Sequence, residues 1–401
     1  MRKVVRQGGK DSFAEARVEL HEHHDLDLQA KQVQRLTERV GGEWAAARDR
    51  EVAAFKQGHL ARAYAGAPPA AAVMVDAGRL LTRAVDQPPG VHEPQWRAPR
   101  YACCLSLATE EKAEDPQPEP PAKLLDRERV PRLVREMRGR AGAPVSEPPA
   151  AGRGTVPAPR KKKPRTRRKR QAPTRLVRTA VATMAAATEF GYMAAAEMYR
   201  RGLDLAARKG YVCDGERANW TIFEEHFRGW GFVPILDFLH LLTYLYGAAQ
   251  AVGGGVEAQW ARYERWLRWA WRGERERLWA ELCAAAAKAG VPPPAAGEQD
   301  PRVILKAAAG YVENNLERMN YPRYRKLGLP WSSAPVESLI KQFNRRVKGT
   351  EKFWLEAGAE AVLQVRAAYL SEDGRAERFW CRPRPRYRAV GRNRLALVPA
   401  A

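Results

Sequence analysis

Three short apolar runs in this chain each end in an aspartate, and they restrict the fold more than any other feature of the sequence. The runs are AAAVMVD ending at Asp76, YVCD ending at Asp214 and FVPILD ending at Asp237. Short apolar runs bounded by turn signals are typical of buried strands. The stretch NWTIFEEHFRGWG between the second and third runs fits a helix. We therefore expect an α/β protein in which strands and helices alternate.

The other strands of the sheet are expected close to the first run. A turn at DAG follows Asp76, a second strand is expected around residues 80 to 85, and RYACCLSLA at 100–108 supplies a third strand. Strands in such close succession predict an antiparallel meander. An Ala- and Met-rich stretch from Thr174 to Lys209 predicts a long helix before YVCD. Together these elements predict a mixed five-stranded sheet flanked by helices.

Shifts in composition divide the chain into regions. Residues 27–62 predict helices with a turn at VGGE, and they suit a small DNA-binding element and a packing domain without DNA contact equally well. Residues 109–173 are polar, Pro-rich and finally very basic, which predicts a flexible insertion. The expected regions are an N-terminal helical region (1–66), the first part of the core with the flexible insertion (67–240), a helical insertion (241–325), the C-terminal part of the core (326–372) and a basic tail (373–401).

The charge of the chain points to a polyanion as its partner. With 69 Lys and Arg against 46 Asp and Glu, the formal net charge is +23, although 45% of the residues are hydrophobic. A folded protein with this excess is expected to bind nucleic acid. The run RKKKPRTRRKR at 160–170 is expected to contact phosphates. The candidate contacts in this run are Lys161, Lys162, Lys163, Arg167, Arg168, Lys169 and Arg170.

The sequence indicates no membrane, zinc or disulfide chemistry. No apolar run approaches the roughly 20 residues of a membrane-spanning helix, and MRKVVRQGGKDSF lacks the apolar core of a signal peptide. We therefore expect a cytoplasmic, nucleoid-associated protein. The five cysteines form no CxxC pair and are expected to be reduced and mostly buried, and the His cluster in HEHHDLD is assigned no chemistry. The Trp and Tyr residues between 260 and 279 recur at helical spacing, which favours core packing over base stacking.

Glu337 is the one acidic residue in a stretch whose other charges are all basic, LPWSSAPVESLIKQFNRRVKG at 329–349. Ser332 and Ser333 are natural N-caps and Pro335 suits a first turn, so a helix is expected from about residue 334. At about 100° per residue, one face of this helix is apolar. Glu337 heads another face with Lys341, Asn344, Arg345 and Lys348. Alone, this pattern is typical of a solvated helix face, and a metal-binding role requires partner acids elsewhere.

Partner acids are expected at the ends of two strands. Asp76 ends the first strand and Asp214 the fourth, and the ends of parallel neighbours meet at one edge of a sheet. If Glu337 joins them, the three acids repel one another unless a divalent cation neutralises them. Oxygen ligands select Mg²⁺ or Mn²⁺, and two such ions about 3.5 to 4 Å apart suit phosphodiester chemistry. The basic face that begins at Glu337 would then hold the scissile strand.

Seven stretches carry a resemblance to a known family over roughly residues 70 to 370. They are VMVDAGRLLTR, GVHEPQWR, DPQPEPP, PTRLVRTAVATM, VCDGERANWTIFEEHF, ILDFLHLLTYL and WSSAPVESLIKQFNRRVKGTEKFW. In order and spacing they resemble the ISKra-type bacterial insertion-sequence transposases, relatives of the Mutator-like group. The resemblance implies an RNase H-like core, an all-helical insertion before a final Glu, and a catalytic, metal-binding DDE triad. It places this triad on Asp76, Asp214 and Glu337.

The resemblance also implies two accessory residues. The related group carries an acid or Cys followed three residues later by His, here Asp237 and His240. Asp237 is an alternative to Asp214 as the second metal ligand. His240 is expected to orient neighbouring groups rather than to transfer protons. The region before Asp76 is short for this family, which predicts a reduced end-recognition region.

The function expected from these features is that of a DNA transposase that uses Mg²⁺ or Mn²⁺, in two ions, for phosphodiester cleavage and strand transfer. Its partners would be double-stranded DNA, as transposon ends and target, and a second copy of the chain, because two ends must be held together. One alternative is a catalytically inactive DNA-binding protein derived from a transposase. Another is an RNA-binding or ribosome-associated protein, which would explain the charge but not the three acids.

Overall fold

A computed structural model describes residues 1–64, 66–85, 93, 95–140, 173–349, 352–382, 387–390 and 394–397. The strands are β1 (Ala70–Ala77), β2 (Leu80–Thr82), β3 (Gln95–Arg97), β4 (Arg100–Ala108), β5 (Thr174–Thr183), β6 (Arg208–Cys213), β7 (Val233–Leu236), β8 (Tyr387–Val390) and β9 (Arg394–Leu397). The helices are α1 (Arg2–Lys10), α2 (Phe13–His24), α3 (Ala30–Lys56), α4 (Arg129–Arg140), α5 (Ala187–Arg200), α6 (Arg217–His226), α7 (Phe238–Ala251), α8 (Val256–Arg272), α9 (Arg275–Ala289), α10 (Pro301–Glu313), α11 (Tyr321–Lys326), α12 (Ala334–Val347), α13 (Glu356–Leu370) and α14 (Arg375–Cys381).

A mixed sheet with the strand order β5-β4-β1-β6-β7 forms the centre of the fold. β4 is antiparallel to both β1 and β5, whereas β6 is parallel to both β1 and β7. In the central strand β1, every residue from Ala70 to Val75 is buried, as expected of an apolar strand that is covered on both faces. Helices α5 and α12 pack on β4, and α13 packs on β5. The predicted α/β class with a mixed five-stranded sheet flanked by helices is confirmed.

Two predicted elements are wrong. The second strand, expected around residues 80 to 85, is only Leu80–Thr82, and it pairs with β3 in a separate two-stranded sheet. The helix predicted from Thr174 is a strand in its first part: β5 is the edge of the main sheet, and only Ala187–Arg200 is an α-helix in the stretch up to Lys209. In TRLVRTAVAT, β-branched residues occupy alternate positions 177, 179, 181 and 183. This period of two is a strand signal that the nearby Ala-rich composition obscured.

The N-terminal helices pack directly on the rest of the protein. Val5 and Val40 form a buried cluster with Val365 of α13 and with Phe379. The turn predicted at VGGE is wrong, because α3 runs through it without a break. A Cβ atom on Gly41 would lie 2.2 Å from the backbone oxygen of Ala361. Glycine at position 41 therefore permits the close approach of α3 to α13 rather than a turn.

Part of the segment predicted to be a flexible insertion is folded. Residues 109–140 include a 3₁₀ turn at Ala122–Leu124 and helix α4. The Tyr263 hydroxyl donates to the backbone oxygen of Leu124 at 2.8 Å, and Trp271 Nε1 donates to that of Gln117 at 2.8 Å. These bonds attach the segment to α8. Residues 141–172, with the basic run, lie outside the described residues.

Several expectations from composition agree with the structure. The predicted core aromatics Trp260, Tyr263, Trp266, Trp269 and Trp271 are buried, and Trp279 is partly buried. All five cysteines are free thiols, of which three are buried, one is partly buried and one is exposed. Within the part of the chain that the structure describes, no helix combines the length and the apolar character needed to cross a membrane.

A buried ionic network joins α5 to α14. Glu197 is 7% exposed and accepts hydrogen bonds from Arg375 at 2.5 Å and from Arg200 at 3.2 Å. Arg375 also donates to both carboxylate oxygens of Asp373, at 2.8 and 3.0 Å. Burial by itself raises the pKa of Glu197, but the charges of Arg375 and Arg200 lower it to about 2. Removing one partner of such a network leaves an uncompensated buried charge.

We expect Glu197→Gln to destabilise the protein in a pH-dependent way. The pKa of Glu197 falls from 4.5 to about 2 on folding, so its stabilisation is complete above about pH 4.5 and is lost as the pH falls toward 2. The variant should lower the free energy of unfolding by about 3 kcal/mol at pH 7 and by about half as much at pH 3, as measured by urea denaturation. The exposed control Glu298→Gln should have no effect. An equal loss at both pH values would contradict this account.

Candidate functional site

Three aspartates lie side by side at one edge of the sheet. In the parallel pairs, Met74 of β1 aligns with Val212 of β6, and Cys213 of β6 aligns with Leu236 of β7. Continuing both registers to the strand ends brings Asp76 next to Asp214, and Asp214 next to Asp237. Neighbouring strands are about 4.8 Å apart, and aligned residues of parallel strands point to the same face. The three strand ends that the sequence predicted at Asp76, Asp214 and Asp237 therefore lie next to one another.

Helix α12 carries Glu337 to the same place. The helix packs on β1 and β4, and its predicted apolar stripe is buried. Glu337 belongs to the first turn of this helix and is only 8% exposed. Its charge is one of those that raise the pKa of Asp76. Glu337 thus lies within electrostatic reach of the strand-end acids, 123 positions after Asp214 along the chain.

Burial and a neighbouring acid both disfavour the ionised form of Asp76. Burial is the largest cause of a pKa raised to about 7, and the charge of Asp214 is the second. The charge of His240 and a 2.7 Å hydrogen bond from the backbone N–H of Ala77 oppose the shift. Carboxyl groups in this arrangement are costly to ionise unless a cation neutralises them.

The Asp214 carboxylate is held by a turn that requires glycine. Its Oδ1 atom accepts from the backbone N–H of Glu216 at 3.1 Å and from Asn219 Nδ2 at 2.9 Å. Gly215 has a φ of 92°, and a Cβ atom there would lie 3.0 Å from both Leu236 and Tyr311. Gly215 directly after Asp214 thus has a physical basis, since only glycine turns the chain here without strain.

Asp237 is a fully buried carboxylate that receives five hydrogen bonds. Oδ1 accepts from the backbone N–H groups of Leu239 at 3.2 Å and Ser333 at 2.9 Å. Oδ2 accepts from Ser333 Oγ at 2.8 Å and from the backbone N–H of His240 at 3.3 Å, and it lies 2.6 Å from His240 Nδ1. Burial alone raises the pKa of Asp237, but the bonds from His240 and Ser333 lower it overall. Asp237 thus caps helix α7 and also joins it to α12.

His240 carries a positive charge toward Asp76, Asp214, Asp237 and Glu337, which together are called the acid cluster. Burial by itself lowers the pKa of His240, but its bond to Asp237 and the charges of Asp237, Asp214 and Asp76 raise it to about 9. Because Nδ1 is held by Asp237, Nε2 is the ring nitrogen that is left to interact elsewhere. The orienting role expected for His240 stays a prediction.

The cluster has the donor atoms of a metal site. Ligand atoms of Asp237, His240 and Glu337 lie within 4.8 Å of one another. Asp237 and His240 are both poor ligands as they stand, because five donors already occupy the oxygens of Asp237 and the raised pKa of His240 keeps its ring protonated. Asp76 and Asp214 lie at the same edge of the sheet, but among the described residues Asp76, Asp214 and Glu337 do not form a group whose ligand atoms all lie within 4.8 Å of one another. Carboxylate oxygens suit Mg²⁺ and Mn²⁺, so the residues present fit such an ion.

Ser333 is a site residue that the sequence predicted only as a helix cap. Its hydroxyl makes no capping bond to α12. Instead it donates to Asp237 at 2.8 Å and lies 3.5 Å from Glu337 Oε1, and the side chain is 1% exposed. A polar residue just before a helix signals a cap in sequence, and nothing local reveals a partner 96 positions away.

The predicted DNA-binding residues of α12 lie on its outer side. Lys341 and Arg345 are exposed, Asn344 is partly exposed, and Lys348 is exposed just after the helix. Lys341 pairs with Glu136 of α4 at 3.2 Å. The candidates in the basic run, Lys161, Lys162, Lys163, Arg167, Arg168, Lys169 and Arg170, lie outside the described residues.

A groove of about 660 Å³ runs beside Glu337, between α4 and α12. Its basic side chains are Lys123, Arg129, Arg132 and Lys341, and its acidic ones are Asp126, Glu128, Glu136 and Glu337. Among the described lining residues, four cations stand against four carboxylates, so their charges balance.

Comparison with known proteins does not assign the chain to a family. No protein-family model matches it, and no curated protein does so either. Function must therefore be argued from the geometry of the site.

We expect Asp76→Asn to stabilise the metal-free protein. The pKa of Asp76 rises from 3.8 to about 7 on folding, so the carboxyl destabilises the fold increasingly as the pH rises through this range. At pH 8 in EDTA the variant should gain about 2 kcal/mol in free energy of unfolding, less than the full shift implies because the carboxyl is partly exposed. The gain should vanish near pH 4. Urea denaturation of the wild type, Asp76→Asn and the exposed control Asp27→Asn tests this, and a gain independent of pH would contradict it.

Ser333→Ala should weaken divalent-cation binding without removing a ligand. The change deletes the hydroxyl that connects Asp237 with the start of α12, so Glu337 loses part of its positioning. Loss of such an outer partner typically lowers metal affinity about 10- to 100-fold. Calorimetric titration with Mn²⁺ measures the effect, with the neighbouring Ser332→Ala as the matched control. Equal affinities of the two variants would refute the positioning role.

Proposed function

We propose that the protein is a DNA transposase that cleaves phosphodiester bonds and transfers DNA strands with the help of divalent cations. One observation carries the proposal: Asp76 and Asp214 end adjacent parallel strands, and Glu337 comes from a distant helix to the same edge of the sheet. Three acids in this arrangement destabilise the fold unless they bind a cation. The mixed five-stranded sheet is compatible with the RNase H-like core that the resemblance to ISKra-type transposases implies.

Asp76, Asp214 and Glu337 are the proposed metal ligands. The saturated hydrogen bonding of Asp237 favours Asp214 as the second ligand. Two bound Mg²⁺ or Mn²⁺ ions would supply an activated water and neutralise the leaving oxygen. Asp237 would act by orienting His240 and Ser333, and the charge of His240 would compensate part of the acid cluster.

Two successive displacements make up the proposed reaction. In the first, the oxygen of water bonds to phosphorus at a transposon end, and the bond from phosphorus to the 3′-oxygen breaks to leave a 3′-hydroxyl. In the second, this hydroxyl attacks a phosphodiester of target DNA, and the displaced strand leaves with its own hydroxyl. Lys341, Asn344, Arg345 and Lys348 would bind the backbone of the strand, since phosphate contacts position a strand without reading its sequence.

The proposed partners are double-stranded DNA and a second copy of the chain. The net charge of +23 supports strong, salt-dependent attraction to DNA, which would keep the protein at the nucleoid. Two transposon ends must be brought together for joining, so we propose a homodimer or a higher oligomer.

Strand nicking tests the catalytic proposal. With Mg²⁺ and DNA that contains transposon ends, Asp76→Ala, Asp214→Ala and Glu337→Ala should each fall to background because each removes a ligand. Asp237→Ala should lose about 10- to 100-fold, as expected for an orienting group. The distant exposed Glu298→Ala should cut like the wild type.

The outcomes separate the proposal from its alternatives. Equal nicking by all variants would reject the site, and loss in Asp237→Ala with full activity in Asp214→Ala would exchange the roles of these two residues. DNA binding by the wild type without metal-dependent cleavage would identify a catalytically inactive DNA-binding protein, which the charge alone also supports. Preference for structured RNA over duplex DNA would favour an RNA-binding protein.

A further inference from the structure

Arg346 is a charged side chain buried on the inner side of α12. It is 2% exposed, and its guanidinium lies between two aromatic rings, 4.5 Å from the centre of Phe13 and 4.9 Å from that of Trp354. Nε donates to the backbone oxygen of Gly8 at 2.9 Å. Nη2 is buried, and no atom of the described residues accepts a hydrogen bond from it.

The guanidinium charge has no ion-pair partner among the described residues. Burial and the neighbouring charge of Arg366 lower the pKa of Arg346 to about 10, against the weaker opposite effects of Asp11, Glu15 and Glu38. Arg346 nevertheless stays protonated at neutral pH. A buried cation without a counter-ion is costly, and the rings of Phe13 and Trp354 offset only part of that cost.

A pocket of about 440 Å³ opens beside Arg346, between the N-terminal helices and the chain that follows α12. Its charged side chains are Lys31, Arg83, Arg346, Lys352 and one acid, Glu38. Its aromatic walls are Phe13, Phe353 and Trp354, of which Phe353 is 52% exposed. Among the described lining residues, four cations against one carboxylate give the pocket a net positive charge, in contrast to the balanced groove beside Glu337.

Backbone bonds fix the shape of this pocket. The backbone N–H of Trp354 donates to Leu81 at 3.1 Å, and that of Arg83 donates to Trp354 at 2.9 Å. The Trp354 indole N–H donates to the backbone oxygen of Val347 at 2.8 Å. The walls are therefore held in place by β2 and by the end of α12 before any ligand arrives.

The pocket is separate from the acid cluster. Arg346 follows Glu337 by nine residues, which at about 100° per residue is half a turn of the helix. The two side chains therefore leave α12 on opposite sides, and no acid of the cluster lines the pocket.

We propose that this pocket binds the phosphate group of a nucleotide. The unpaired Arg346 guanidinium and Lys352 would hold the phosphate, because a guanidinium fork and an ammonium are the side-chain groups best suited to it. The exposed ring of Phe353 at the pocket would stack on the base, as aromatic side chains do in single-strand binding sites.

The phosphate could come from a free nucleotide or from a DNA strand, since both carry the same chemistry. The net charge of +23 favours a strand. The assignment to a strand rests on the proposed function, whereas the phosphate site itself does not. A strand bound there would tie the N-terminal helices to the DNA from the side of α12 that faces away from the acids.

Calorimetric titration of the full chain in EDTA tests the site with three probes: inorganic phosphate, thymidine monophosphate and a short single-stranded oligothymidylate. Lys352→Gln and Arg346→Lys should weaken the binding of phosphate and of the nucleotide about tenfold. Phe353→Ala should weaken nucleotide binding by a similar factor and leave phosphate binding unchanged. Lys288→Gln, an exposed lysine on α9, is the matched charge control and should bind as the wild type does.

The possible results distinguish this site from the catalytic proposal. Glu337→Gln should retain phosphate binding, so a failure of the cleavage assays leaves this test intact. If oligothymidylate displaces the bound nucleotide, the natural ligand is a DNA strand. If the nucleotide stays bound in its presence, the natural ligand is a free nucleotide. No binding of phosphate or nucleotide at about 10 mM would overturn the proposal. The proposal would also be overturned if Lys352→Gln and Arg346→Lys, each shown to be folded by its melting curve, bound phosphate and nucleotide as tightly as the wild type.

Discussion

The arrangement of the site depends on the hydrogen bonds that the buried carboxylate of Asp237 accepts. Asp237 follows β7 directly, caps α7 and accepts hydrogen bonds from both the backbone N–H and the hydroxyl of Ser333 at the start of α12. These bonds set the position of α12 relative to the strand ends, and Glu337 follows one turn later. An ionised, fully buried carboxylate is tolerated only when its oxygens are paired, and here five donors pair them. The group is thereby a support for the site, and the proposed chemistry is left to Asp76, Asp214 and Glu337.

An unfavourable charge lies on each side of helix α12, a negative one at the sheet edge and a positive one near the N-terminal helices. Toward the sheet edge, burial and the charge of Asp214 raise the pKa of Asp76. Toward the N-terminal helices, Arg346 is buried without an ion-pair partner among the described residues. Each arrangement costs stability in the free protein, and each would be relieved by a ligand of opposite charge. A cation would suit the first and a phosphate the second, and a nucleic acid strand with its counter-ions supplies both.

The parts of the fold that could be predicted are those whose signal is local. The apolar run of β1, the amphipathic pattern of α12 and the helical spacing of the buried Trp residues all report their environment within a few positions. The strand β5 was missed because its alternating Val and Thr residues adjoin an Ala-rich helix, and composition outweighed periodicity. The glycines of VGGE were misread because close packing of α3 against Ala361 needs the same residue type as a turn.

The sequence by itself determined which acids stand at strand ends and which residues share the faces of α12, because periods of two and 3.6 residues decide these questions. Only the tertiary structure decided that Asp237 is saturated, that Ser333 bonds to it rather than capping its own helix, and that Arg346 is buried against Gly8. The partners of these groups lie 96 and 338 positions away. Hydrogen-bond and ion-pair satisfaction depends on which distant elements pack together, and no local pattern encodes that.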